Sequence, residues 1–113
     1  AQTVQFGRFL EVLITTAQNK WSTAGNLDVK NGYCKIPDDE KTTLVTILRA
    51  FQSALQNSDL AKSRPYTMRE LQQIIETADK GQINLGSLPL FIRKTEGHMG
   101  AIQINIAEAV ATT

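Results

Sequence analysis

Apolar residues recur at three- and four-residue steps along most of the chain, and this spacing predicts a mainly helical protein. The first stripe runs from Thr3 to Trp21, and we expect a helix that ends near Asn19, before a turn-rich segment. Val12 and Ile14 lie beside the stripe, so this helix is expected to be buried on more than one side. The stripe itself consists of Phe6, Phe9, Leu10, Leu13, Ala17 and Trp21.

A segment of alternating apolar and polar residues departs from helical spacing and surrounds the pair Asn31-Gly32. Asn-Gly is favoured in a two-residue type I′ turn, because both positions require a positive φ. We therefore predict a β-hairpin that places its apolar residues on one face. The predicted register pairs Lys30 with Tyr33, Val29 with Cys34, Asp28 with Lys35, and Leu27 with Ile36.

The second helix is predicted to follow Pro37 and to continue through Gln56. It begins with the acidic run Asp38-Asp39-Glu40, and carboxylates are stabilised at the positive end of a helix dipole. Behind this run the apolar residues keep helical spacing, which indicates one buried face. The stripe consists of Leu44, Ile47, Leu48, Phe51, Ala54 and Leu55.

The third helix is predicted at about residues 68–80, after a polar connector. Thr67 and Glu70 have the spacing of a capping box, in which each side chain satisfies a free N–H group of the first turn. Gly81 follows at the other end, where a glycine commonly stops a helix. We expect Thr67 to be the N-terminal cap.

The last third of the chain carries mixed signals. Residues 87–93 predict a short helix, in which Ser87 is the cap and Pro89 lies in the first turn. Residues 97–100 are expected to form a turn or loop. Residues 103–106 alternate as in a strand, but the helix-forming residues behind them favour a final helix at about 101–111.

These elements predict a mainly α fold, a small helical bundle of three to four helices with one β-hairpin inserted between helices one and two. We expect residues 1–113 to form a single globular domain, because this length falls in the most common size range. No apolar run approaches the length of about 20 residues that a membrane span needs, and we expect no signal peptide.

Composition narrows the function classes. The net charge is +1, whereas a dedicated nucleic-acid binder usually has a clear basic excess. Neutral polar residues are numerous, with 12 Thr, 9 Gln and 6 Asn, and a near-zero net charge is compatible with self-association. The single cysteine, Cys34, cannot form an intramolecular disulfide, and we expect a reducing, cytoplasmic setting.

Candidate catalytic groups are few. His98 is the only histidine, and with Glu96 it could form a general base, but a solvated loop histidine is the favoured interpretation. Cys34 lies on the predicted apolar face of the hairpin and is expected to be a buried small hydrophobic residue. Trp21, Tyr33 and Phe91 follow core spacing. We expect no enzyme activity, no cofactor and no metal site.

One segment resembles a helix-turn-helix protein in outline, because a capped helix, a turn and a second short helix follow one another over residues 64–94. Basic residues there would supply phosphate contacts. The connection after Gly81 is longer than the usual turn, and Pro89 interrupts the helix that would read the bases. The candidate nucleic-acid contacts are Arg64, Arg69, Lys80, Arg93 and Lys94.

The first functional hypothesis is a non-enzymatic protein-protein interaction or assembly module, such as a subunit of a larger complex or particle. The missing catalytic motifs, the near-neutral charge and a hairpin edge open to strand pairing favour it. A protein partner or a homo-oligomer would then be expected. Nucleic-acid binding through residues 64–94 is the alternative.

Overall fold

The structure is a computed structural model, and it describes residues 3–25, 27–28, 30–95 and 102–111. It is mainly helical with two small antiparallel sheets, so the predicted class is confirmed, although the helices and strands outnumber those predicted. The strands are β1 (Thr3–Gln5), β2 (Leu27–Asp28), β3 (Tyr33–Lys35), β4 (Gln82–Asn84) and β5 (Gln103–Asn105). The α-helices are α1 (Phe6–Thr16), α2 (Asp38–Gln56), α3 (Leu60–Ser63), α4 (Pro65–Asp79), α5 (Ser87–Thr95) and α6 (Ile106–Ala111).

The N-terminal residues are extended and not helical, which corrects the predicted start of the first helix. β1 pairs antiparallel with β5, so that Val4 lies opposite Ile104. The N–H group of Phe6 then donates to the carbonyl of Ile102 at 2.9 Å, and the helix begins at this residue. A contact about one hundred residues away along the chain therefore decides where α1 starts.

The end of the first helical segment is also irregular. After α1 the chain widens into a π-helical turn, Ala17–Trp21, and then tightens into a 3₁₀ turn, Ser22–Ala24. The π turn buries both Ala17 and Trp21, and the hydroxyl of Ser22 donates to the carbonyl of Ala17 at 2.7 Å. Gly25 ends the segment with a φ of 84°.

A hairpin forms where it was predicted, but its register differs by two residues. Leu27 pairs with Cys34 and Asp28 with Tyr33, so the loop is longer than a type I′ turn. Among the described residues of this loop only Gly32 has a positive φ, 75°. The Asp28 carboxylate instead organises the loop, because it accepts hydrogen bonds from the N–H groups of Lys30 and Asn31. A shift of two residues keeps Leu27 and Cys34 on the same face, as predicted.

The hairpin does not stand alone between helices one and two. β3 is the central strand of the sheet β2-β3-β4, and its second partner comes from the far half of the chain. Cys34 pairs with Ile83, and both side chains are buried. The N–H of Ile36 donates to the carbonyl of Gly81 at 2.8 Å and extends this connection.

Helix two was predicted correctly, since α2 covers Asp38–Gln56 with its acidic residues in the first turn. α4 begins earlier than predicted, with Pro65 in its first turn. Thr67 is therefore inside the helix and is not its cap, and its buried hydroxyl has no hydrogen-bond partner. Proline suits this position because its missing N–H would have no partner there.

The tripeptide Gln-Ile-Asn occurs twice and has the same structure both times, a short strand that leads into a helix. Asn84 ends β4, and its Oδ1 accepts from the N–H groups of Gly86 and Ser87, both at 2.8 Å. Asn105 ends β5, and its Oδ1 accepts from the N–H of Glu108 at 3.0 Å. Asn84 therefore accepts from the first N–H of α5 through a local turn, where Ser87 was predicted to cap the helix, and Asn105 is the N-cap of α6. The predicted helix at 101–111 is a strand followed by α6.

The architecture consists of two helix–strand–helix units joined through their strands. The first unit comprises α1, β3 and α2, and the second comprises α4, β4 and α5. Aromatic side chains pack within the first unit and join it to the second: the ring of Phe51 stacks on that of Phe6 with centroids 4.6 Å apart, and Phe91 of the second unit meets Phe6 at 6.1 Å. Each unit leaves a groove between its two helices on the outer surface.

Candidate functional site

The structure does not bring the candidate catalytic residues of the sequence together in a described site. His98 and Glu96 lie outside the described residues. Cys34 is fully buried, its thiol lies 3.9 Å from the carbonyl oxygen of Ala17, and burial raises its pKa above the ordinary value. A thiol with a raised pKa holds little thiolate near neutral pH, so Cys34 is a structural residue as the sequence indicated.

Within the part of the chain that the structure describes, no three His, Cys, Asp or Glu side chains come together in a group that could hold a metal ion. Gly81, with its φ of 89°, follows the end of α4, and its N–H donates to the carbonyl of Ala78 at 2.9 Å. None of the described helices is long and apolar enough to cross a membrane.

The α1–α2 groove is a concave surface lined mainly by apolar side chains. It encloses about 280 Å³ and follows one face of each helix. Val12 lies on its wall with 50% of its surface exposed, although the sequence predicted it to be buried. The groove is lined by Phe9, Val12, Leu13, Thr16, Trp21, Asp39, Glu40, Thr43, Leu44 and Ile47.

One end of the α1–α2 groove is fixed by the π turn. The indole N–H of Trp21 donates to the Glu40 carboxylate at 2.9 Å, and the ammonium of Lys20 lies 3.5 Å from the other oxygen of that carboxylate. These contacts hold the end of the first helical segment against the first turn of α2. The wall formed by the indole is therefore present without a ligand.

The rim of the α1–α2 groove is acidic. Asp38 and Asp39 are exposed and form no ion pair among the described residues, and Glu40 is shared between Trp21 and Lys20. The three carboxylates outnumber the one ammonium group beside them. A partner that fills this groove would gain from a cation placed at the start of α2.

The α4–α5 groove differs in its chemistry. It encloses about 350 Å³, and the ammonium of Lys94 crosses it to the Glu70 carboxylate at 3.0 Å. The second carboxylate oxygen of Glu70 is buried without a hydrogen-bond partner, as is the hydroxyl of Thr67 one turn earlier. Apolar residues line its floor, but charged and amide groups form its walls. Tyr33, expected in the core, is on this surface and is 37% exposed.

The structure brings four of the five basic candidates to one end of the second unit. Because Lys94 reaches Glu70, the last turn of α5 lies beside the first turns of α4. Arg69 and Arg93 are exposed there, and the Arg64 guanidinium donates to the Tyr66 hydroxyl at 2.9 Å. Lys80 follows the opposite end of α4, roughly 16 Å from Arg69 along the axis.

The arrangement around these basic residues is not that of a helix-turn-helix. The connection between α4 and α5 contains β4, which pairs with β3, so the two helices are not joined by a short turn. α5 instead presents a stripe to solvent in which Leu90, 54% exposed, is followed by Arg93 and Lys94. Residues at these three- and four-residue steps share one helix face. We call these three residues the α5 stripe.

Sequence reasoning missed both the α1–α2 groove and the apolar part of the α5 stripe. In each case the signal was an apolar residue beside the main stripe of an amphipathic helix, Val12 in α1 and Leu90 in α5. From the sequence alone, an apolar residue beside the main stripe is equally compatible with a place in the hydrophobic core. Only the positions of neighbouring elements show that both remain exposed.

Comparison of the chain with protein-family models, with curated proteins and with solved structures finds no match.

Proposed function

We propose that this protein is a non-enzymatic interaction and assembly module that binds a protein in the α1–α2 groove. The observation that carries the proposal is the exposed apolar wall of that groove, formed around Val12 and bordered by acidic residues. An exposed apolar patch with a polar rim is typical of a protein-binding surface. The single reduced cysteine favours a cytoplasmic setting.

Strand pairing, the route that the sequence suggested, contributes less to this proposal than the groove does. β3 already has a partner on each side, and the exposed edge strand β2 has only two residues. Strand addition gains affinity from a row of main-chain hydrogen bonds, and two residues offer few. The helix-lined groove is the better surface, because helices present side chains for both apolar and ionic contacts.

The test is retention of protein by the immobilised chain, compared among three forms. Wild type should retain a protein, either a second copy or another protein of the source lysate, and Val12→Asp should lose it. Gln18→Asp is the matched control, because Gln18 is exposed near α1 but does not line the groove. Equal retention by all three forms, or retention by none, would contradict the proposal.

Nucleic-acid binding remains the second candidate, because Arg64, Arg69, Arg93 and Lys94 lie at one end of the second unit. It predicts binding to a mixed-sequence duplex that weakens steeply with salt, since each phosphate contact releases a counterion. Arg93→Ala should weaken that binding, whereas Lys80→Ala, at the other end of α4, should change it less. Absence of binding at low ionic strength would end this candidate.

A further inference from the structure

We infer that the occupant of the α1–α2 groove is the α5 stripe of a second copy of this chain. The inference rests on the proposed function and names its partner. It comes from two exposed surfaces of one chain, a groove that is apolar with an acidic rim and a helix face on which the exposed Leu90 is followed by the cation Arg93. Each offers what the other lacks.

The apolar parts match in kind. Leu90 projects from α5 with 54% of its surface exposed, and it is the most exposed large apolar side chain among the described residues. Val12, at 50%, is the next, and it lies on the wall of the groove. Burying one against the other would remove both from water, a gain that follows the apolar area covered.

The charges also match. Arg93 follows Leu90 by three residues and forms no ion pair among the described residues. Lys94 follows by four and is already paired with Glu70 of its own chain, so Arg93 is the cation that the α5 stripe offers to a partner. In the groove, Asp39 and Glu40 lie beside the apolar wall. Asp38 adds to this negative field, whereas Lys20 and the positive end of α2 reduce it. After these contributions, the net charge is negative at the groove and positive at the α5 stripe.

The contact is heterologous, because the two surfaces share no residue. A copy that inserts its α5 stripe into a neighbour still has its own groove free for a third copy. Such an arrangement closes into a ring if the rotation between copies permits, and otherwise continues as a filament. Opposite charges on the two surfaces are consistent with a net charge of only +1.

The experiment uses two variants that each block one surface, Val12→Asp in the groove and Leu90→Asp on the α5 stripe. Light scattering with size-exclusion chromatography should show assemblies of wild type and single chains of 12.5 kDa for each variant alone. An equimolar mixture should form two-chain species and nothing larger, because one intact groove and one intact stripe remain. Gln56→Asp, an exposed change in α2 outside both surfaces, should assemble as wild type does.

The remaining outcomes overturn the inference, and they separate it from the proposed function. If wild type is a single chain at every concentration, or if the mixture stays monomeric, the second copy is not the occupant. Val12-dependent retention of a different protein would then leave the proposed function intact. If only Val12→Asp loses assembly and Leu90→Asp does not, the groove meets another surface and the α5 stripe is excluded. A shift in mass only with added duplex would favour nucleic acid.

Discussion

The two helix–strand–helix units share an architecture, and they differ in what lies between their helices. In the first unit the groove has apolar walls and an acidic rim, and Val12 remains exposed. In the second unit the Glu70–Lys94 ion pair crosses the groove at 3.0 Å and ties the helices together. Leu90 is exposed on the wall of this second groove, so the two grooves differ in the ion pair that crosses one of them and not in the presence of an exposed apolar side chain.

This difference indicates that the backbone arrangement alone does not give a groove its chemistry. The strands β3 and β4 pair the two units, with Cys34 opposite Ile83. The side chains beside the main apolar stripes then give each groove its character. Function in this protein is therefore argued from Val12 and Leu90 and not from the fold.

The largest expected effect concerns the aromatic core of the first unit, against which Phe91 of the second unit packs through Phe6. Phe51 is fully buried, stacks on Phe6 at 4.6 Å and lies 5.4 Å from Phe9. Phe51→Ala should lower the free energy of unfolding by about 3–5 kcal/mol, the usual cost of removing a buried ring. Urea denaturation followed by circular dichroism measures this.

Gln56→Ala serves as the control for Phe51→Ala, because Gln56 lies on the same helix but is exposed and outside both proposed surfaces. Its change should stay within about 0.5 kcal/mol, as is usual for surface substitutions. Equal losses in the two variants would show that the Phe51 ring does not contribute to the core. Two separate transitions in wild type would show that the units do not share a core.

A smaller effect compares the two Gln-Ile-Asn segments. Asn84 accepts two main-chain hydrogen bonds at the start of α5, whereas Asn105 accepts one at the start of α6. Asn84→Ala should cost about 1 kcal/mol, a typical value for a lost helix cap, and Asn105→Ala should cost less. Thermal unfolding of both variants shows which substitution lowers the stability more.

The reverse order, with Asn105→Ala the more costly change, would contradict this assignment of the caps. Ser87→Ala is the accompanying control, because the sequence named Ser87 as the cap of α5. Its main-chain N–H donates to Asn84, and this group is kept in the variant. The substitution should therefore change the stability little.

The smallest effect concerns the turn that leads into β3. Hydrogen bonds from Asn31 lower the pKa of Asp28 below its ordinary value of 3.8. A lowered pKa means that the folded turn favours the carboxylate over the protonated carboxyl. The stability that Asp28 contributes to the folded state is therefore fully present when the pH is above its ordinary pKa. That stability is lost as the pH falls through the lower pKa of Asp28 in the folded protein.

The difference in melting temperature between wild type and Asp28→Ala should accordingly be constant near neutral pH. It should shrink as the pH falls below about 3.8, because the protonated carboxyl loses these bonds. A difference that stays unchanged down to pH 2, or one that grows, would show that the carboxylate does not organise the turn.

The parts of the fold that depend on neighbouring residues were predictable from the sequence. α2 was predicted with its bounds, because an acidic first turn and a continuous apolar stripe are both local signals. β1 was missed, because its extended conformation depends on pairing with β5 near the other end of the chain. The hairpin was placed correctly, but the Asp28 side chain favours a longer loop than Asn31-Gly32 alone would choose.

The candidate site was less predictable than the fold. The basic residues were named from their sequence, and four of them do come together, but which end of α5 lies beside α4 depends on a tertiary contact, Glu70 to Lys94. The exposure of Val12 and Leu90 depends on which helix face each neighbour leaves uncovered. No periodicity in one helix contains that information.

The most direct measurement of the central claim is disulfide trapping between copies. One form carries Val12→Cys and a second form carries Leu90→Cys, and the buried Cys34 does not interfere. On mild oxidation the mixture should give a covalent pair that contains one chain of each form. Gln18→Cys in place of Val12→Cys is the control and should give far less. Pairs that form equally well with the control, or pairs made of one form alone, would contradict the account.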